Sequence, residues 1–420
     1  MPIEPLPPLA LARLAALAEE VRDEMIELRR RVHAQPELAH AEYATTALVA
    51  ERLTAAGLTP TLLPASGLFC DIPASHGALR PVIALRADLD ALPVQESTDV
   101  PYASTRRGVS HACGHDAHTA AVLGAGLVLA RLAEEGALPV RVRLVFQPAE
   151  EVQPGGAHDI MDAGALDAVE RILALHCDPR VDVGNVGTRI GPITSASDAV
   201  AVTVASTGGH TSRPHLTGDV VFALGQVITQ VPAVLGRRLD PRSGANLTWG
   251  VVQAGTASNA IPATGTVRGT LRYLDADAWH RVEEVFRTAV SHAVAPYGVE
   301  VELKHVRGVP PVVNDEHSTE VFETAARAVL GEASVELTEQ SLGGEDFGWY
   351  LTRVQGAMAR LGTRTPGGRS FDLHQADFQI DERAIDIGTR VLAAATLLAA
   401  APYTGSGHGS PPRTAHDRSE

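Results

Sequence analysis

The chain has 420 residues, 45% of them hydrophobic and 20% charged, enough to bury a large core and to form two domains. A formal net charge of -15 argues against nucleic-acid or anionic-membrane partners, which demand basic surfaces. Cys70, Cys113 and Cys177 are too few and too widely spaced for a disulfide framework, so the expected compartment is the cytoplasm.

In chain order, the apolar residues of 6–17 are interrupted by Arg13 and followed by Glu19 and Glu20, a pattern that fits an amphipathic helix better than a signal peptide. No apolar run is expected to reach membrane-spanning length, and the Asn246-Leu247-Thr248 sequon reads as chance. Apolar runs at 81–85, 142–146 and 171–175 predict strands, with helices at 119–135 and 157–163 between them. Buried strands alternating with helices predict an α/β domain whose mostly parallel sheet is covered by helices. From about 195 the rhythm changes. A strand at 199–205, a helix at 219–235, strands at 246–253 and 264–273, a helix at 276–295 and a strand at 299–306 follow. That β-α-β-β-α-β order predicts an inserted ferredoxin-like α+β domain. A closing helix is expected at 382–400. The expected organisation is a catalytic domain in two segments, 1–192 and 309–402, an insert at 193–308 and a disordered tail at 403–420.

Chemistry concentrates at strand ends, where open α/β sheets place their active sites. The run 81–85 leads into Arg86-Ala87-Asp88-Leu89-Asp90, 142–146 into Gln147-Pro148-Ala149-Glu150-Glu151, and 171–175 into His176. Before the helix at 119, Ser110-His111-Ala112-Cys113-Gly114-His115-Asp116-Ala117-His118 holds three imidazoles, a thiol and a carboxylate. Cys113 and His115 flank one glycine, so in an extended loop their side chains converge on one centre. Asp116 suits a helix-capping role. Adjacent Glu150 and Glu151 should diverge, one to bind metal and the other to face a water, as metal-assisted hydrolysis requires. His176 and His374 are individually weak, since a lone histidine is more often a hydrogen-bonded structural residue. Gly124-Ala125-Gly126 lies in a helical stretch and reads as packing. Neither a Gly-x-Ser-x-Gly elbow nor a Walker A loop is present.

These motifs resemble the aminoacylase and carboxypeptidase superfamily of two-metal amidohydrolases, in the branch of hippurate hydrolases, auxin–amino acid conjugate hydrolases and N-acyl amino acid aminoacylases. The resemblance runs from Arg30-Arg31-Val32-His33 to His374 and also rests on Gly208-Gly209-His210, Arg213-Pro214-His215, Asn259-Ala260-Ile261-Pro262 and Gly344-Glu345-Asp346-Phe347. It implies hydrolysis of the amide of N-acyl amino acids, giving a carboxylic acid and a free amino acid. Two divalent ions, zinc or manganese first and cobalt or nickel next, would be held by Cys113, His115, Glu151, His176 and His374. Glu150 would be the general base and His210 the oxyanion donor. Asn259 and Arg272 would hold the substrate carboxylate, with Arg268 competing. The insert would be a lid or dimerisation domain, and the protein a homodimer or higher oligomer. A dipeptidase or aminopeptidase on the same scaffold and a catalytically silent metal-binding protein remain rival readings. The Gly-rich basic segment 362–370 maps onto no known specificity.

Overall fold

The run expected at 81–85 forms the strand Val82–Asp88, all seven residues of which are buried. The structure is a computed structural model and describes residues 3–75, 77 and 82–400. The expected tail at 403–420 lies outside the described residues. The chain divides into two compact units. The first comprises residues up to Gly191, Asn314–Glu339 and residues from Trp349; the second comprises Pro192–Val313 and Gln340–Gly348.

The first unit is built on an eight-stranded sheet. Its order is Pro60–Leu62, Leu68–Ile72, Arg141–Gln147, Val82–Asp88, Val169–Asp182, Gln355–Arg364, Val186–Thr188, Val335–Leu337. The four central strands pair in parallel; the Pro60–Leu62 edge is joined by antiparallel pairs, and on the other side Val186–Thr188 pairs antiparallel with Gln355–Arg364. The parallel strands are apolar almost throughout because helices leave neither face to water. Three long helices, Pro8–Ala34, His115–Glu134 and Arg383–Ala399, pack on one another, and the latter two also contact the sheet. Their shared core includes Leu85, Leu144, Leu173, Ala121 and Ala395.

Two boundaries differ from expectation. The strand expected to stop at 175 runs on through His176 to Asp182, because its pairing with Gln355–Arg364 continues to Arg364. The helix expected from 119 begins at His115, after Gly114 adopts a left-handed φ of 89°. The described residues also include two helices, His115–Glu134 and Val220–Arg238, of membrane-spanning length and hydropathy, contrary to expectation. In the first, 89% of the apolar window is buried, as befits a core helix.

In the second unit, Ala196–Ala205, Asn246–Ala254, Thr264–Tyr273 and Glu300–Val309 form a four-stranded antiparallel sheet. Helices Val220–Arg238 and Ala276–Val294 complete the β-α-β-β-α-β order. Both helices start with a capping aspartate: Asp219 accepts from the Phe222 N–H and Asp275 from the Ala278 N–H. Residues 340–348, which fall in the expected 309–402 segment, pack here: Ser195 Oγ donates to the Leu342 carbonyl at 2.7 Å.

The packing role of the helical glycines is visible at Gly124. A Cβ there would sit 2.5 Å from Thr389 Oγ1 and 3.1 Å from Met25 Cγ, so only glycine lets the three long helices approach so closely. Gly124→Leu should lower stability by about 1–3 kcal/mol through overpacking. The urea midpoint should fall with an unchanged slope, and an unchanged midpoint would contradict this packing.

Candidate metal centre

Strand register gathers the polar side chains at one end of the sheet. Asp88 pairs with Gln147, the last residues of two neighbouring parallel strands. Arg86 pairs with Ala174, so two residues further on Asp88 stands level with His176. The loop ending in Cys113 and Gly114 delivers His115 at the start of its helix. His374 joins through its backbone, whose N–H donates to the Ala112 carbonyl at 2.8 Å. Its φ of 64° is left-handed, a strained conformation for a non-glycine residue and one of four among the described residues.

Hydrogen bonds fix which ring nitrogens face inward. His115 Nδ1 donates to the Asp90 carbonyl at 2.9 Å, and His176 Nδ1 donates to the Cys177 carbonyl at 2.8 Å. In its neutral form each ring therefore turns an unprotonated Nε2 toward the cluster. Cys113 Sγ lies 3.7 Å from His176 Nε2. Glu151 Oε1 lies 3.8 Å from His115 Nε2 and 3.2 Å from His374 Nε2. Two ligands sharing one tetrahedral ion are about 3.4–3.6 Å apart at ordinary zinc bond lengths. His115 Nε2 is buried and makes no hydrogen bond. An inward-facing, orphaned imidazole nitrogen among carboxylates and a thiol fits a cation.

The remaining donors sort themselves. Glu150 and Glu151 do not diverge as expected: one oxygen from each lies within 4.8 Å of a His115 nitrogen. Asp90 causes this, since its Oδ1 and Oδ2 accept from the Glu150 and Glu151 N–H groups at 3.0 and 2.9 Å and fold the turn tightly. Asp88, His115 and His118 also cluster within 4.8 Å. His118 is already engaged, because Nε2 accepts from the Cys177 N–H at 2.8 Å and Nδ1 donates to Asp88 Oδ1 at 2.7 Å. The third imidazole of the loop, His111, is buried with both nitrogens unbonded, and burial pushes its pKa down to about 4.

Electrostatics point the same way. Burial, then Glu151, Glu150 and Asp88, push the Cys113 thiol well above its ordinary value. Burial alone would lower His115, but Asp88, Asp90 and Glu151 carry it up to about 10. Both shifts record the negative charge gathered around the cluster. Asp116, expected to cap the helix, makes no capping bond. It is fully buried and pairs instead with Arg29 Nε at 2.6 Å and His33 Nδ1 at 2.7 Å, because Gly114 rather than a side chain starts the helix.

The other expected residues lie in the second unit. The strand Gly209–His210 pairs antiparallel with Ala260–Ile261, and the Thr211 N–H donates to the Asn259 carbonyl at 3.2 Å. His210 Nδ1 accepts from the Ser212 N–H at 3.1 Å, which in the neutral ring puts the proton on Nε2. Arg272 donates to the Leu342 carbonyl. Arg268, four residues earlier on the same strand, shares its face. In the segment 362–370, Arg364 pairs with Asp182 at 2.6 Å and Arg369 with Asp377, so both arginines are engaged locally. The first unit also reveals supporting residues to which the sequence reading assigned no role: Arg29, His33, Glu42, Asp88, Asp90 and His118. Of these, Asp88 and Asp90 carried a signal in their alternation at a strand end, His118 in the imidazole-rich loop and His33 in the motif at 30–33, whereas Arg29 and Glu42 carried none.

The family described as Peptidase family M20/M25/M40 matches residues 84–397. A Rhodococcus jostii (strain RHA1) protein, provisionally named glutamate–cysteine ligase 2-3, is 50% identical over 375 residues, 89% of this chain. The chain spans only about half, 46%, of that relative's length. N-acetyl-L-cysteine deacetylase of Bacillus subtilis (strain 168) is 36% identical over 366 residues, covering 86% of this chain and 85% of its own length. The crystal structure of Bacillus subtilis YxeP, described as a dinuclear metal binding peptidase from the M20 family, matches with a TM-score of 0.79 at 30% identity. That match covers 91% of this chain and 99% of YxeP.

Asp90→Ala removes the acceptor that folds the Glu150–Glu151 turn and one of the two that hold His115 Nδ1. Zinc affinity should fall about 10- to 100-fold, measured by competition with a chromophoric chelator. An unchanged affinity would show that Asp90 does not organise the cluster.

Proposed function

The chain belongs to peptidase family M20/M25/M40, and from that premise we propose that it is a metal-dependent amidohydrolase acting on N-acyl amino acids, releasing a carboxylic acid and a free amino acid. The observation that carries this reading is the convergence of Cys113, His115, Glu151, His176 and His374, with Glu150 beside them. The Bacillus deacetylase supports an N-acyl amino acid as substrate, while the peptidase description of YxeP keeps dipeptides as the rival substrate.

Cys113, His115, Glu151, His176 and His374 would hold two divalent ions, the number that the dinuclear centre of YxeP supports. Thiolate, imidazole and carboxylate together suit zinc or manganese first, then cobalt or nickel. When bound, such ions supply Lewis-acid chemistry, polarising a carbonyl and making water a stronger acid. Glu150 takes the proton of the attacking water on a carboxylate oxygen and returns it to the leaving nitrogen. His210, with its proton on Nε2, is our donor to the oxygen on which negative charge develops. Asn259 and Arg272 are our assignment for the substrate carboxylate, with Arg268 as the competing partner.

We further place the protein in the cytoplasm, in keeping with three buried free cysteines. A homodimer is our reading of its assembly. The second unit supports this, since the helix Val220–Arg238 exposes Val221 and Phe222 and the strand Asn246–Ala254 leaves one edge unpaired.

A panel of N-acyl amino acids and free dipeptides, with and without a chelator, tests the activity. Turnover of N-acyl amino acids that chelation abolishes is expected; turnover of dipeptides alone, or none, overturns the reading. Glu150→Gln should keep its metal and lose about 10²–10⁴-fold in kcat, whereas Glu151→Gln should lose metal as well. Equal metal loss in both would contradict this division of roles. His210→Ala should lower kcat about 10²–10³-fold at unchanged metal content. Wild-type turnover in that variant would remove His210 from the mechanism.

A further inference from the structure

The turn that bears Glu150 is held in a backbone conformation that its own residues disfavour. Ala149 has a φ of 55°, a left-handed conformation that costs a non-glycine residue roughly 1–2 kcal/mol. Three successive N–H groups in this turn, those of Ala149, Glu150 and Glu151, point away from the strand and need acceptors. Asp90 takes the second and third. The first goes to Glu42 Oε1 at 2.7 Å.

Glu42 comes from far away in sequence, and nothing local explains it. It directly precedes the helix Tyr43–Ala55, but Glu37 accepts from the Ala44 and Thr45 N–H groups at 3.1 and 2.9 Å, and Glu42 makes no capping bond. Its side chain is fully buried, with Oε2 accepting from Ser66 Oγ at 2.6 Å. The same turn is gripped from two further sides. The Ala149 carbonyl accepts from the Gly156 N–H at 2.9 Å, and a Cβ on Gly156 would fall 2.0 Å from the Pro148 carbonyl oxygen. A Cβ on Gly67, next to Ser66, would fall 2.6 Å from Pro148 Cδ. Backbone and buried carboxylates thus close round residues 148–151.

We propose that Glu42 is a positioning residue for Glu150, holding the Ala149 peptide so that the neighbouring carboxylate faces the metal cluster. This rests on Glu150 being the general base. Without Glu42, the Ala149 N–H is buried and unpaired and the left-handed residue loses the acceptor that holds its peptide, so the turn relaxes at Ala149 and Glu150 shifts away from its proton. Because Glu151 lies one residue further from Ala149 and its Oε1 also meets His115 and His374, metal binding survives and the loss appears in catalysis.

The test compares metal-loaded full-length variants. Glu42→Leu fills the space and removes both acceptors. Its kcat should fall about 10- to 100-fold, the scale of a misplaced catalytic group, with KM and metal content unchanged. Glu42→Gln should restore most of that loss, since its carbonyl oxygen can accept from Ala149 while its amide donates to a rotated Ser66 hydroxyl. Burial pushes the Glu42 carboxyl up, toward the neutral form that glutamine mimics. Combining Glu42→Leu with Glu150→Gln should cost no more than Glu150→Gln alone, because a positioning residue has nothing left to position. A role confined to stability would instead lower the melting temperature without changing kcat per folded, metal-loaded molecule. If Glu42→Leu does not fold, Glu42→Asp carries the test: its shorter side chain retracts from Ala149 and should lower kcat with metal retained. Wild-type kcat in a folded Glu42→Leu or Glu42→Asp protein, or full additivity in the double variant, overturns the proposal. Activity surviving in Glu150→Gln would instead overturn the general-base reading on which it stands.

Discussion

Negative charge buried at one end of the central sheet is the constraint from which the rest of the first unit follows. Asp88 and Asp90 are almost fully buried, Cys113 is 5% exposed, and Glu150 and Glu151 are only partly accessible. Two carboxylates about 4 Å apart repel by roughly 4 kcal/mol at the effective dielectric of such a site. One hydrogen bond returns only about 0.5–1.5 kcal/mol. Hydrogen bonding alone therefore does not hold these groups together. The raised thiol of Cys113 and the raised imidazole of His115 are two expressions of the same imbalance. A divalent cation resolves both.

The protein divides the work of assembling this charge. One set of residues would offer atoms to a cation and a second set fixes the first. Asp90 holds the Glu150–Glu151 turn and, through its carbonyl, His115. Asp88, whose Oδ2 lies 3.7 Å from His115 Nε2, is compensated by Arg86 at 2.7 Å and by His118. Arg29 and His33, from the first helix, neutralise Asp116 beside His115 and anchor the helix start. Glu151 faces the cluster beside His115 and His374, while Asp88 and Asp116 are paired with Arg86 and Arg29. That division separates a binding site from a buried ion-pair network.

The strands, the inserted β-α-β-β-α-β unit and the strand-end clusters were legible because period and composition report burial directly. Val82–Asp88 is apolar because both faces are covered, and Asp219 and Asp275 announce helices through capping. Cys113 and His115 were legible as donor types at short spacing, and Glu151 as a carboxylate at a strand end. The supporting residues were not. Glu42 stands in no motif, and its partner lies 107 positions away. His118 looks like a third ligand until both of its nitrogens are seen to be engaged. Asp116 sits where a cap would sit, yet long-range pairing with Arg29 and His33 decides its role. Likewise His176 marked a strand end only in sequence; pairing with Gln355–Arg364 carries the strand six residues further, to Asp182. Local pattern reports which groups are polar, and the fold determines whom each one meets.

The most direct test of this account is X-ray absorption spectroscopy at the metal edge of the zinc-loaded protein. The account predicts a sulfur scatterer at about 2.3 Å alongside nitrogen and oxygen at about 2.0–2.2 Å, with the sulfur shell lost in Cys113→Ser. A first shell of nitrogen and oxygen alone in the wild-type protein, or a sulfur shell that survives Cys113→Ser, would contradict it.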